Sequence, residues 1–176
     1  MFMFYPSPGP GPEGANWIPG PLEYPDIDYD AIFSQVRRLV KSVIGKERSG
    51  LGLAIGEFDP RIAAFWEVGG NYLVLNGALL RKLGETVKDR GELRDYVLVV
   101  LMHEYVHSLG FTDELATRKI TEQIIRETMG DRSRAARISS QDLWSVYPQL
   151  MEATPVHGAP LVIVPRFSTE DLGYIA

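Results

Sequence analysis

The stretch VLMHEYVHSLGFTDE, residues 100–114, carries His103, Glu104 and His107, followed by Asp113 and Glu114. Residues four apart on an α-helix are separated by about 400° of rotation, so they share a face one turn apart. His103 and His107 can therefore offer two imidazoles to one metal ion. Glu104, one step around the helix, is badly placed as a third ligand but can act as general base on a water held at that ion. Imidazole together with carboxylate suits zinc. A tetrahedral zinc that does chemistry needs a third protein donor and one open position. The helix must first end, and Gly110 supplies the stop. Asp113 and Glu114 are then the nearest carboxylates, with Glu122 and Glu127 as alternatives a turn or more farther along. Acidic residues in a first helical turn also complement the helix dipole, and the two jobs can coexist. A lone histidine on a half-buried helix is more often a hydrogen-bonded core residue than a ligand. Here two of the chain's three histidines fall in one metal-binding spacing, which favours the metal.

A rigid helix has to hold these donors. Leu101, Met102, Tyr105, Val106 and Leu109 can bury one predicted from 92 to 109, and a second helix, capped by Thr112, is expected over 113–129 before Gly130. Upstream, Asp28 or Asp30 can cap a helix running to Ile44 and stopped by Gly45. Its Ile32, Phe33, Val36, Leu39, Val40, Val43 and Ile44 recur at helical spacing. The period then changes. Residues 51–58, 61–68 and 71–76 read as three strands, turned at Asp59 and Pro60 and at Gly69 and Gly70, the last two forming a hairpin. A short helix over 77–83, a second piece near 85–90, a helix within 139–152 interrupted by Pro148, and an apolar extended segment over 159–167 complete the chain. The expected class is α+β: a small, three-stranded or slightly larger, mixed sheet packed on helices. Residues 1–27 form a proline- and glycine-rich extended arm, 28–158 the catalytic domain and 159–176 a C-terminal extended segment.

At 176 residues the chain can build one compact domain. With 18 basic against 23 acidic residues it lacks the positive balance of a broad nucleic-acid surface. The basic runs at Arg37, Arg38, Lys41, Lys46 and Arg48, and at Arg132, Arg134 and Arg137, read as solvated helix faces. The absence of cysteine removes disulfides and thiolate ligands. Phe2, Phe4, Tyr5, Trp17, Ile18, Leu22 and Tyr24 punctuate the N-terminal arm, so it is expected to lie against the domain. Its first residues have neither a basic region nor a long apolar run, and the apolar run 96–102 is too short to span a bilayer. A soluble, cytoplasmic protein with no membrane insertion is the expectation.

On these residues the chain resembles the zincin metallopeptidases, and among them the gluzincins, whose third ligand is a glutamate. It is most similar to the archaeal minigluzincins, small soluble single-domain proteins like the catalytic cores of membrane peptidases such as the CAAX-processing enzymes. The resemblance is carried by HEYVH (103–107), the SLGF turn and DELATR (113–118), within a span of residues 50–130. It implies a zinc ion held by His103, His107 and Glu114, Glu104 as general base, and a peptide or protein substrate. Arg118 stands where the membrane relatives usually carry an aspartate partner. Aspartate-using zincins are a rival, since Gly110 and Asp113 also fit their pattern. The resemblance further implies that an edge strand lines the cleft, and Asn71, Tyr72, Leu73 and Val74 are the candidates for pairing with substrate backbone. His157, Tyr147 and Tyr105 are possible oxyanion donors, none of them assigned. Both termini are extended, proline-bearing and apolar, so either could occupy the cleft and leave the protein latent. The competing functions are a zinc hydrolase of another class and a non-catalytic zinc-holding interaction module.

Overall fold

The computed structural model describes residues 22–165 and Phe167. Helix α1, Tyr29–Ile44, begins where the Asp28 carboxylate accepts the N–H of Ala31 at 2.9 Å and ends at Gly45 in the left-handed region. It buries Ile32, Phe33, Val36 and Val40 on one face. Three strands follow: β1, Gly52–Gly56; β2, Ala64–Trp66; and β3, Tyr72–Asn76. β2 is shorter than its apolar run because Asp59 Oδ1 accepts the Arg61 N–H at 2.9 Å and holds the preceding residues in a turn. β3 pairs with β1 in parallel and with β2 as the expected antiparallel hairpin.

Asn76 ends β3 and caps α2, Gly77–Thr86, by accepting the N–H of Ala78 at 3.0 Å. The separate helical piece expected near 85–90 does not form. Instead Asp89 caps the next helix, accepting from Gly91 N–H at 2.8 Å. That helix, α3, spans Arg90–Ser108, and its stretch 96–102 is apolar all round, as a helix segment surrounded by other elements must be. Leu98, Leu101, Met102, Tyr105 and Val106 on it are fully buried. α4, Glu114–Met129, is capped by Asp113 rather than by the expected Thr112. The segment expected as a single helix within 139–152 is broken up. It comprises the end of α5, Arg134–Ser140; α6, Leu143–Val146; and a 3₁₀ turn, Pro148–Glu152, that starts at the proline. The start of α5 was not anticipated, because the arginines around it hid the buried Ala135, Ala136 and Ile138.

The last strand, β4, is Val162–Ile163 and pairs antiparallel with β1. Among the described residues the sheet therefore has four strands in the order β2-β3-β1-β4, mixed and packed on helices: the α+β class expected. Both described terminal segments are docked on this framework. Tyr24 donates its hydroxyl to Glu57 at 3.1 Å, Arg90 reaches the Asp26 carbonyl at 2.8 Å, and Phe167 stacks on Phe33 with ring centroids 4.5 Å apart. A side chain at Gly77 would collide with the Tyr24 ring, so glycine there permits the close approach. The rest of the two arms, residues 1–21, 166 and 168–176, lies outside the described residues, and with it most of the expectation that an arm fills the cleft.

Candidate metal centre

His103 and His107 lie on the last two turns of α3, one above the other, with ring centroids 4.7 Å apart. After His107 the chain reverses at Gly110, whose φ of 103° suits glycine and whose N–H donates to the His107 carbonyl at 3.0 Å. The reversal brings the first residue of α4 back over the two rings. Glu114 Oε1 lies 3.0 Å from His103 Nε2, Glu114 Oε2 lies 3.1 Å from His107 Nε2, and the two Nε2 atoms are 3.1 Å apart. Donors at the corners of a tetrahedron around zinc, with bonds of about 2.0–2.1 Å, stand about 3.3 Å from one another. The Glu114 carboxylate straddles the two rings, one oxygen to each, and a single donor atom from each of the three residues lies within 4.8 Å of the others, so the spacing is compatible with one ion; a donor set of two imidazoles and a carboxylate is one that zinc accepts. Among the described residues, His103, His107 and Glu114 are the group that could hold a metal ion.

The choice among the carboxylates follows from what each already does. Asp113 accepts the N–H of Ala116 at 2.7 Å, so its side chain points along the helix as a cap. Glu122 accepts from Arg126 and Glu127 from Gln123. Only Glu114, at the start of α4, faces both rings, and with its side chain 69% exposed it leaves that flank of the cluster open to solvent. The ring nitrogens of His103 and His107 beside it hold the Glu114 carboxyl well below the usual carboxylate range. Burial works against a charged His107 ring, but the Glu114 carboxylate, the Glu104 charge and the Phe111 carbonyl outweigh it, so that ring's pKa lies above its ordinary value.

Glu104 is 8% exposed. Burial pushes its carboxyl above the ordinary range, against the opposing pull of His103 and His107. The backbone of Trp66, on β2, lies beside it and favours its charged form. This contact corrects the expectation for Asn71, Tyr72, Leu73 and Val74. β3 is an interior strand, bonded to β1 on one side and β2 on the other, so Tyr72, Leu73 and Val74 have no open edge to offer. Asn71 accepts from Arg48 at 3.2 Å. The turn at Gly69 and Gly70 folds β2 over β3's outer side, and among the described residues β2 is the edge strand, next to Glu104.

Arg48 ties this edge to the ligand helix. Its guanidinium donates to the Ser108 carbonyl at the end of α3 at 3.1 Å and to the Gly70 carbonyl at 2.8 Å, and lies over the Trp66 ring at 5.4 Å. Trp66 Nε1 donates to the same Gly70 carbonyl at 2.9 Å. The sequence reading placed Arg48 in a solvated basic run and missed this role. The three unassigned donors lie elsewhere. Tyr105 bonds to the Arg48 backbone and Tyr147 to Glu92 at the opposite end of α3, while His157 stands exposed in a turn. Arg118 points to the Gln141 carbonyl at 3.5 Å rather than to a ligand. Thr117 is the residue of α4 that reaches His107, with Oγ1 3.3 Å from Nδ1. Comparison of the chain with protein-family models, with curated proteins and with solved structures finds no match.

Proposed function

We propose that the protein is a zinc-dependent metallopeptidase of the gluzincin type. The observation that carries this reading is the meeting of His103, His107 and Glu114 donors at 3.0–3.1 Å beside a buried Glu104. Zinc, when bound, supplies a Lewis acid that polarises a carbonyl and lowers the pKa of water toward neutrality. His103, His107 and Glu114 would hold it. Glu104 accepts a proton from the attacking water and returns it to the leaving amine. The outer edge of β2, beside Glu104, is where an extended peptide can add as a further strand. Peptide and protein chains are the substrates that such an edge selects.

A structural zinc site has no use for a buried carboxylate one residue from a ligand, and Glu104 therefore separates this reading from a non-catalytic zinc-holding module. Glu104→Gln should keep one zinc per chain while cleavage of an unfolded protein substrate falls by about 10²–10⁴-fold. Full turnover in that variant, measured at equal zinc content, contradicts the proposed role.

A further inference from the structure

Thr117 sits on α4 three residues beyond Glu114, on the same face of the helix, with 0% exposure. Its Oγ1–H donates to the Phe111 carbonyl at 2.8 Å. The same carbonyl lies 2.7 Å from His107 Nδ1, and Thr117 Oγ1 lies 3.3 Å from it. A carbonyl oxygen carries no proton, so His107 must supply one from Nδ1. The Thr117 proton is directed at Phe111, so the hydroxyl oxygen also meets Nδ1 as an acceptor. Both neighbours demand the tautomer protonated at Nδ1, which leaves the Nε2 lone pair facing Glu114 and His103.

Phe111 belongs to the connection between α3 and α4, next to Gly110, and its peptide plane has no helix to hold it. Thr117 is anchored in a helix and pins that plane. We propose that Thr117 is a positioning residue that sets the tautomer and orientation of His107, both directly and by holding the Phe111 carbonyl. One helix then supplies a ligand, Glu114, and the group that aims another. The inference rests on the zinc reading of the site. Thr121, one turn farther along, is also buried, but its Oγ1 has no hydrogen-bond partner among the described residues, so it serves as the control.

The test is zinc affinity of the full chain, read by competition with a chromogenic chelator, with melting of the zinc-free proteins followed in parallel. Thr117→Val and Thr117→Ala should weaken zinc binding by about 10–100-fold, the range for losing a group that orients a metal-binding histidine. Thr117→Ser should stay within a few-fold of wild type, and Thr121→Val should be unchanged. Wild-type affinity in Thr117→Val or Thr117→Ala, or a loss in Thr117→Ser as large as in Thr117→Val, overturns the role of Thr117 while leaving the zinc site standing. No zinc on the wild-type chain removes the metal reading and this inference with it. Long-range ¹H–¹⁵N spectra of the zinc-loaded wild type, which need no variant, should show His107 protonated at Nδ1. A proton on Nε2 contradicts the assignment.

Discussion

Asp113 and Glu114 are adjacent carboxylates whose roles are set by one helical step. Asp113 sits at the N-cap and turns its oxygen onto the Ala116 amide, while Glu114 begins α4 and faces the imidazoles. Asp113→Ala should therefore keep stoichiometric zinc and lose about 0.5–2 kcal/mol of folding stability, measured by metal analysis and urea melts of the same samples. Loss of zinc in that variant would make Asp113 a ligand after all. His103, Glu104 and His107 could be read from the chain because a spacing of four on a helix dictates a shared face. Thr117 could not, because its contact depends on how the Gly110 reversal aims the Phe111 carbonyl. Its position three residues past Glu114 on the inner face of α4 was the available signal.

Arg48 bridges the end of α3 and the turn between β2 and β3 through two charged hydrogen bonds at 3.1 and 2.8 Å. Arg48→Met keeps the stem but removes both, and should cost about 1.5–3 kcal/mol in denaturant melts. Unchanged stability would mean that the strand edge is held to the ligand helix by packing alone. The helices around the site were readable because their caps and stops are local: Asp28 and Gly45 bound α1, and Gly110 and Gly130 flank α4. The order of the strands was not local. Which side of β3 is covered depends on where the turn at Gly69 and Gly70 throws β2, although the unbroken apolar run Leu73, Val74, Leu75 already fits a strand buried on both faces. The arginines that obscured α5 show the same limit, since Arg134 is engaged by Asp89 and Asp95 of other segments.

At the scale of the molecule, the described N-terminal residues Tyr24 and Asp26 and the strand β4 dock at places other than the histidine pair. Glu57, whose side chain is fully buried, accepts from Tyr24, from Arg81 at 2.7 Å and from the Val156 N–H at 3.0 Å. Among the described residues no helix is long and apolar enough to cross a membrane. Burial keeps several phenols protonated: it pushes Tyr29 up to about 12 and raises Tyr24, Tyr96 and Tyr147 as well. An unfolded chain ionises its tyrosines near pH 10. Between about pH 10 and 12 the unfolded state thus binds fewer protons than the folded state, and stability falls as pH rises; below pH 10 this contribution is fully present. Absorbance titration should show these phenols ionising only together with unfolding, and their free titration near pH 10 in a folded chain would contradict the burial. The central claim is that His103, His107 and Glu114 converge on one zinc ion. Metal analysis of the purified full chain after zinc loading and desalting tests it most directly. The account predicts one zinc per chain, lost in each of His103→Ala, His107→Ala and Glu114→Ala while the fold persists. A chain that holds no stoichiometric zinc, or one that keeps it in all three variants, contradicts the account.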